Sequence, residues 1–284
     1  MIAVTGATGR LGHLVVEGLL DKRGPDGLVA VVRDAAKAAD LAERGVAVRV
    51  AGYGDPAALE AAFAGVETLL LVSGSELGQR VEQHTNVVHA ARAAGVRHVV
   101  YTSALHADTT ELVLAPEHKA TEQVLRESGL TYTFLRNGWY NENSTDTIKQ
   151  GAETGSFAGS AGEGRTASAA IADFAAAAVE VLTTDGHDNH VYELTGDDAW
   201  THAELAQEIA AVAGKAVVYR DLTPEAYQEE LVGFGVPAPT AGFVVALAAN
   251  TAAGVLGEVN GQLAKLIGRP TTPISVTIEQ LLHG

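Results

Sequence analysis

The chain has no cysteine among its 284 residues. Disulfides, thiol catalysis and cysteine-ligated metals are therefore excluded. Aromatic side chains make up only 5%, while glycine and alanine are abundant, so helices are expected to pack closely. Positive charge is scarce. Nineteen lysines and arginines face 35 aspartates and glutamates, giving a formal net charge of −16. Such a surface repels phosphate backbones, and nucleic-acid binding is not expected. Long hydrophobic runs are missing as well. The stretch from Phe243 to Leu256 is broken by Asn250 and Thr251 and is too short to span a bilayer. Met1-Ile-Ala-Val-Thr-Gly6 reads directly as a strand, not as a signal peptide. The expectation is a soluble cytoplasmic protein with no membrane or nucleic-acid partner; a homo-oligomer stays open. Metal is not expected either. His84 and His89 are five apart, and His187 and His190 flank a polar turn, so neither pair forms a two-histidine helix face. No Gly-x-Ser-x-Gly elbow supports hydrolase chemistry.

Against these absences stands a glycine-rich opening. An apolar strand, Ile2–Thr5, runs at once into glycines at 6, 9 and 12, followed by a helical pattern at Leu14, Val15, Gly18 and Leu19. A strand that breaks into such a turn and opens a helix is a phosphate cradle. Gly6 permits the tight turn, Gly9 lets a pyrophosphate approach, and Gly12 lets the helix pack close. The candidate cradle residues are Gly6, Thr8, Gly9, Arg10, Leu11 and Gly12, and the ligand class is a dinucleotide. The second apolar run, Leu28–Val32, ends in Arg33-Asp34, with Lys37 one helical turn further on. An acidic residue at this edge grips the ribose hydroxyl of NAD. A guanidinium instead suits a 2′-phosphate. The expected cofactor is NADPH in preference to NADH, with Asp34 keeping NADH open if it turns inward.

Apolar runs at Ile2–Thr5, Leu28–Val32, Val46–Val50, Thr68–Val72, His98–Thr102 and Thr131–Leu135 read as buried parallel strands. Helical patterns lie between them, and Gly45, Gly65, Gly95 and Gly129 sit where helices end. The expected fold is α/β: a Rossmann-type doubly wound parallel sheet with a smaller mixed α/β C-terminal substrate lobe. Residues 1–137 would form the dinucleotide-binding domain, with 166–196 returning to it. Residues 138–165 and 197–284 would form the smaller lobe.

The glycine loop, Arg33, Tyr101-Thr-Ser103 and the segment Leu135-Arg-Asn-Gly-Trp-Tyr-Asn-Glu-Asn143 together resemble the NmrA-like branch of the atypical short-chain dehydrogenases. The likeness is to its quinone-reducing members and their dye-reducing cousins, and runs nearly end to end. It takes in Gly52-Tyr-Gly-Asp55, Gly186-His187 and Lys265-Leu-Ile-Gly-Arg-Pro-Thr-Thr272. The resemblance implies NADPH-dependent reduction of quinones or extended conjugated cations.

The wider class carries Tyr-x-x-x-Lys on the helix after strand five, the tyrosine being the proton donor to a carbonyl oxygen. With Glu122 as register mark, Leu114 falls on the tyrosine position and His118 on the lysine position. Lys119 points about 100° away around the helix. Bare hydride transfer to a good acceptor is favoured over carbonyl reduction, because a hydroquinone anion takes its proton from water. His118 has two readings, a hydrogen bond to the nicotinamide ribose or a polar residue at a helix start. Ser73, Gly74 and Ser75 are expected at the cofactor, and Asp55 either at the adenine amine or as a helix cap. Asn137 and Tyr140 are placed near the nicotinamide and, with His118, are the candidate catalytic residues; Trp139, Asn143 and His106 are placed on the side of a quinone-like aromatic substrate. Ser103 either acts at the site or satisfies backbone groups. Phe234 and Phe243 are candidates to close the pocket. A non-catalytic NADP(H)-binding redox sensor, and a triarylmethane dye or imine reductase, stand as alternatives.

Overall fold

The computed structural model describes residues 1–76 and 78–284. Its first half alternates strand and helix in the order β1 (Ile2–Thr5), α1 (Arg10–Arg23), β2 (Leu28–Val32), α2 (Ala39–Glu43), β3 (Ala47–Val50), α3 (Pro56–Ala62), β4 (Thr68–Leu71), α4 (Arg80–Ala93), β5 (His98–Ala104), α5 (Ala115–Glu127) and β6 (Thr131–Asn137). Every residue of β1 and β2 is buried. That follows from their unbroken aliphatic sequence, since a parallel strand covered on both faces has no solvent side to alternate with.

The strands pair in the order β6-β5-β4-β1-β2-β3, all parallel, with a seventh strand, His190–Leu194, beside β6. This is the doubly wound α/β arrangement expected. Alternate side chains (Ala3, Val29, Val31, Leu69, Leu71, Val99, Tyr101 and Phe134) share one core with Leu59, Phe63, Val87, Val88 and Leu125 of the α3–α5 side. Helix Ile171–Thr183 packs beside α1 and over β4 and β5. The approach is close because Gly18 has no side chain: a Cβ there would lie 2.8 Å from Val179 Cγ2.

β5 and β6 outrun their expected ends at Thr102 and Leu135, reaching Ala104 and Asn137. The extra length carries Ser103 and Arg136, both buried because each finds Glu122 of α5. Arg136 donates from Nε to Glu122 Oε1 (2.8 Å) and from Nη2 to Oε2 (2.6 Å), and Ser103 Oγ donates to Oε1 (2.7 Å). Arg136 Nη1 also reaches Asp108 and Glu193, each at 2.8 Å.

The chain divides into two compact units. Met1–Asp108, Leu114–Asn137 and Ile171–Glu193 form the first; Thr109–Val113, Gly138–Ala170 and Leu194–Gly284 form the second. Residues 166–170 and 194–196 thus lie in the second unit, where the sequence reading had them returning to the sheet. The second unit gathers Ile148, Phe157, Trp200, Leu205, Ile209, Ile274 and Ile278 into its own core. It contains three two-stranded sheets: Trp139–Tyr140 with Ser168–Ala169, Arg165–Thr166 with Trp200–Thr201, and Ser156–Gly159 with Val218–Asp221. The interrupted apolar stretch is mostly helix, Ala238–Ala252. Among the described residues no helix is long and apolar enough to cross a membrane.

Removing one partner of a buried, fully hydrogen-bonded ion pair strands the other charge. Arg136→Met is therefore expected to lower unfolding free energy by about 3–5 kcal/mol in urea titrations. The double substitution Arg136→Met with Glu122→Leu should recover much of that loss. A double variant no more stable than the single one would contradict this account.

Candidate functional site

In the sheet the chain winds outward from β1 through β2 to β3, then restarts on the other side at β4. Ligands of open α/β sheets bind beyond the carboxyl ends of the strands at such a switch point. A cleft of about 430 Å³ opens there. Its wall is made by Gly6, Thr8 and Gly9 after β1, Arg33 and Lys37 after β2, Gly52 to Gly54 after β3, and Val72 to Glu76 after β4, with Gln83 from α4. A larger groove of about 690 Å³ lies at the opposite strand ends, among Ile2, Thr68, His98 and Thr131. It lacks the glycine turn, so the chemistry is assigned to the first cleft.

The turn is built around one backbone oxygen. Gly6 adopts φ +59°, a left-handed conformation that favours glycine. Its carbonyl accepts the Gly9 N–H at 2.9 Å, and a Cβ on Gly12 would lie 2.3 Å from that same oxygen. Helix α1 begins at Arg10 with Gly9 as N-cap, no capping side chain and no acidic residue in its first turn. Its first N–H groups are left for an anion, and the residues present fit a dinucleotide pyrophosphate. Thr8 and Gly9 line the cleft; Arg10 is exposed at the helix start, and Leu11 and Gly12 are buried beneath the turn. Arg33 extends a largely exposed side chain along the wall, its Nη1 3.2 Å from Glu76 Oε1. Asp34 does not turn inward. Its Oδ1 accepts the Ala36 N–H and caps the short turn that follows β2. Asp55 likewise caps α3 by accepting from Ala58 N–H at 3.0 Å, and is not on the cleft wall.

The loop after β4 is held from behind by α4 and α5. Ser73 N–H donates to Thr102 Oγ1 (2.8 Å), and Gly74 N–H donates to His84 Nε2 (3.0 Å). Arg80 Nε donates to the Gly74 carbonyl (2.8 Å), while its Nη1 pairs with Glu117 Oε2 (2.7 Å). Glu117 Oε1 in turn accepts from Gly78 N–H. A backbone N–H can only donate, so His84 Nε2 is an acceptor. Its Nδ1 therefore carries the proton and donates to Thr121 Oγ1 at 3.0 Å. The imidazole is neutral: burial, with Arg80 adding repulsion, pushes its pKa down to about 3. Tyr53 reaches across the cleft floor, its hydroxyl 2.6 Å from Thr5 Oγ1 and 2.7 Å from the Val72 carbonyl oxygen.

Leu114 is the N-cap residue of α5, so no tyrosine stands at the proton-donor position. Tyr101 is fully buried, and burial raises its pKa above the ordinary phenol value. Its hydroxyl lies 2.8 Å from His118 Nδ1, and burial lowers the His118 pKa to about 3. His118 is thus a buried, inward-facing residue near the start of α5. Ser103 is committed to Glu122. His106 holds a left-handed φ of +49°, its N–H donating to Glu193 Oε2 at 2.8 Å. Asn137 is buried at the end of β6, paired in register with Ala104. In the second unit, Trp139 and Tyr140 are half-buried and pair with Ser168 and Ala169, and Asn143 is exposed. Phe234 is 72% exposed and Phe243 half-buried. Asn141, inside the same segment, is structural: it bonds the Thr272 carbonyl and Thr277 Oγ1, and Ser168 Oγ donates to it.

Sequence reading misses Arg80, His84, Glu117 and Thr121 as the frame of the loop, and Glu76 and Gln83 on the cleft wall. One signal was present. Arg80 and His84, four apart, put a cation and an imidazole on the buried face of α4, where an aliphatic residue is ordinary.

Residues 6–182 match the family model described as NAD(P)H-binding. Quinone oxidoreductase 2 of Escherichia coli (strain K12) is 48% identical over 283 residues, covering 100% of this chain and 99% of that protein. The crystal structure of the E. coli NADPH-dependent enzyme complexed with NADPH superposes with a TM-score of 0.97, each chain covered in full. Triphenylmethane reductase of Citrobacter sp., complexed with NADP(H), gives a TM-score of 0.95 at 40% identity over 99% of this chain and 100% of that one. An NmrA-like family domain-containing oxidoreductase of Aspergillus flavus is 30% identical, covering 98% of this chain and 94% of that protein. The chain belongs to the NAD(P)H-binding family, in its NmrA-like branch. Within that branch it stands beside the quinone and triphenylmethane reductases.

The two buried imidazoles make stability depend on pH. Unfolded, each titrates near 6.5; folded, near 3. Their contribution is complete above pH 6.5 and is lost as pH falls from 6.5 toward 3, at up to about 1.4 kcal/mol per pH unit for each. Denaturant titrations from pH 7 to 4.5 should show this decline. His84→Gln, which keeps an acceptor for Gly74, should reduce the slope by about one proton's worth. An unchanged slope would contradict a neutral buried His84.

Proposed function

We propose that this chain is an NADPH-dependent reductase that delivers hydride to a quinone or a similarly conjugated acceptor. The observation that carries this reading is that the tyrosine proton donor of the wider class has no counterpart at its position beside a dinucleotide cleft. Leu114 stands where the tyrosine of the wider class would be, Tyr101 and His118 face each other in the interior, and Ser103 is bound to Glu122. Reduction of an ordinary ketone generates an alkoxide that needs an acid close by. A hydroquinone anion does not, because its charge is delocalised and water can protonate it. The nicotinamide supplies the hydride when bound. The protein's part is binding, orientation and exclusion of water.

In this reading Gly6, Thr8, Gly9, Arg10, Leu11 and Gly12 make the pyrophosphate cradle, and Arg33 with Lys37 takes the 2′-phosphate. Ser73, Gly74 and Ser75 close over the remaining phosphates and ribose. Asn137 and Tyr140 orient the nicotinamide, and His118, its Nδ1 held by Tyr101, takes the nicotinamide ribose. Trp139, Asn143 and His106 serve the acceptor side, with the second unit as substrate lobe. Asp55 is left as a helix cap. The relatives at 48% and 40% identity are named as reductases, which supports an enzyme over a dinucleotide sensor. A triarylmethane cation is a second acceptor class, supported by the Citrobacter relative and needing no proton at all.

The test is steady-state NADPH oxidation with and without para-benzoquinone and a triarylmethane dye. Acceptor-dependent turnover above background is expected; tight NADPH binding without turnover on either acceptor would overturn the reading. Arg33→Ala should raise the NADPH KM about 10- to 100-fold, as loss of charge-assisted hydrogen bonds to phosphate does. The NADH KM should stay within about threefold. Equal effects on both cofactors would remove Arg33 from the 2′-phosphate site.

A further inference from the structure

We infer that Glu76 is a built-in competitor for the 2′-phosphate, and so tempers the NADPH-over-NADH preference of the cleft. The inference rests on Arg33 being the 2′-phosphate ligand. Arg33 follows β2 and Glu76 follows β4, and β1 lies between those two strands in the sheet. Both residues line the same cleft, and the guanidinium and carboxylate meet at 3.2 Å. The pair therefore bridges the cleft at the position where an incoming phosphate needs the guanidinium. The carboxylate oxygen takes a guanidinium donor that a phosphate oxygen would otherwise accept from.

The carboxylate is also held in place. Glu76 Oε2 accepts from Gln83 Nε2 at 2.8 Å, while Oε1 faces Arg33. Gln83 belongs to α4 and to the cleft wall. Glu76 can thus release Arg33 and stay on Gln83, a neutral donor that does not depend on the cofactor. A 2′-phosphate carries a charge of about −2. It displaces the single carboxylate from Arg33, and breaking that ion pair is what NADPH binding must offset. NADH has a hydroxyl at that position and no anion with which to displace Glu76. The carboxylate consequently weakens NADPH binding and leaves NADH nearly untouched.

The experiment is equilibrium titration of the full-length protein with NADP⁺ and NAD⁺. Both side chains are exposed, so the variants should fold. Glu76→Gln, which keeps the contact to Gln83 sterically available, should tighten NADP⁺ binding about two- to fivefold, the scale of an exposed ion pair. NAD⁺ binding should change by less than about twofold. In an Arg33→Ala background the Glu76→Gln effect on NADP⁺ should vanish. Unchanged or weakened NADP⁺ binding by Glu76→Gln overturns the inference. So does an equal tightening in the Arg33→Ala background, which would mark simple removal of a negative charge. If Arg33→Ala alone leaves the NADP⁺ preference intact, the 2′-phosphate assignment itself fails, separately from the role of Glu76.

Discussion

One carbonyl oxygen, that of Gly6, sets the geometry on which the nucleotide-binding unit depends. It accepts the Gly9 N–H, and it fills the space that any side chain at residue 12 would need. The chain can turn from β1 into α1 in so few residues only because of this double use. The consequence is chemical as much as geometric. The first turn of α1 stands against the strand end with its N–H groups uncapped and no acidic residue of its own. In the proposed reading, backbone N–H groups would carry most of the hold on a pyrophosphate here. The protein then needs few cations to bind a polyanion, which suits a chain carrying 19 basic and 35 acidic residues.

The opposite lip of the cleft follows another principle. Residues 73–76 after β4 form no helix or strand, and their polar backbone groups would be costly to bury unpaired. The N–H of Ser73 is satisfied by Thr102 of β5, and both groups of Gly74 by side chains reaching up from a helix, His84 and Arg80 of α4, backed by Glu117 and Thr121 of α5. A neutral imidazole suits the Gly74 N–H because it supplies an acceptor on one side and a donor on the other. A charged imidazole would have no lone pair for the loop. The low His84 pKa and the loop's conformation are two expressions of one requirement.

The strand–helix alternation is legible in the sequence because buried parallel strands are continuous aliphatic runs and the connecting helices end at glycines such as Gly95 and Gly129, which take φ +80° and +78°. The glycine turn is legible because its constraint is local. What is not legible depends on distant partners. β5 and β6 end early in a hydropathy reading because Ser103 and Arg136 look like surface residues until Glu122 is beside them. Arg80 looks solvated until Glu117, 37 residues later, is placed against it. The motif Lys265–Thr272 carries family likeness in the sequence but gives no hint of its use. In the structure Thr271 exchanges hydrogen bonds with Asp197, and the Thr272 carbonyl holds Asn141.

The close fit of Gly18 against Val179 bears on how the protein is made. Helix Ile171–Thr183 covers β4 and β5 beside α1, but the ribosome delivers it only after residues 138–170, which belong to the other unit. Until then the part of the sheet face made by β4 and β5, next to α1, lacks the helix that covers it. The sheet must wait with that surface open, a situation that favours aggregation over folding. A fragment ending at Asn137 would hold the whole glycine turn and six strands, yet it should behave as a chaperone client and not as a free-standing domain. Only with translation past residue 193, once the helix and the strand beside β6 have both emerged, is this unit complete.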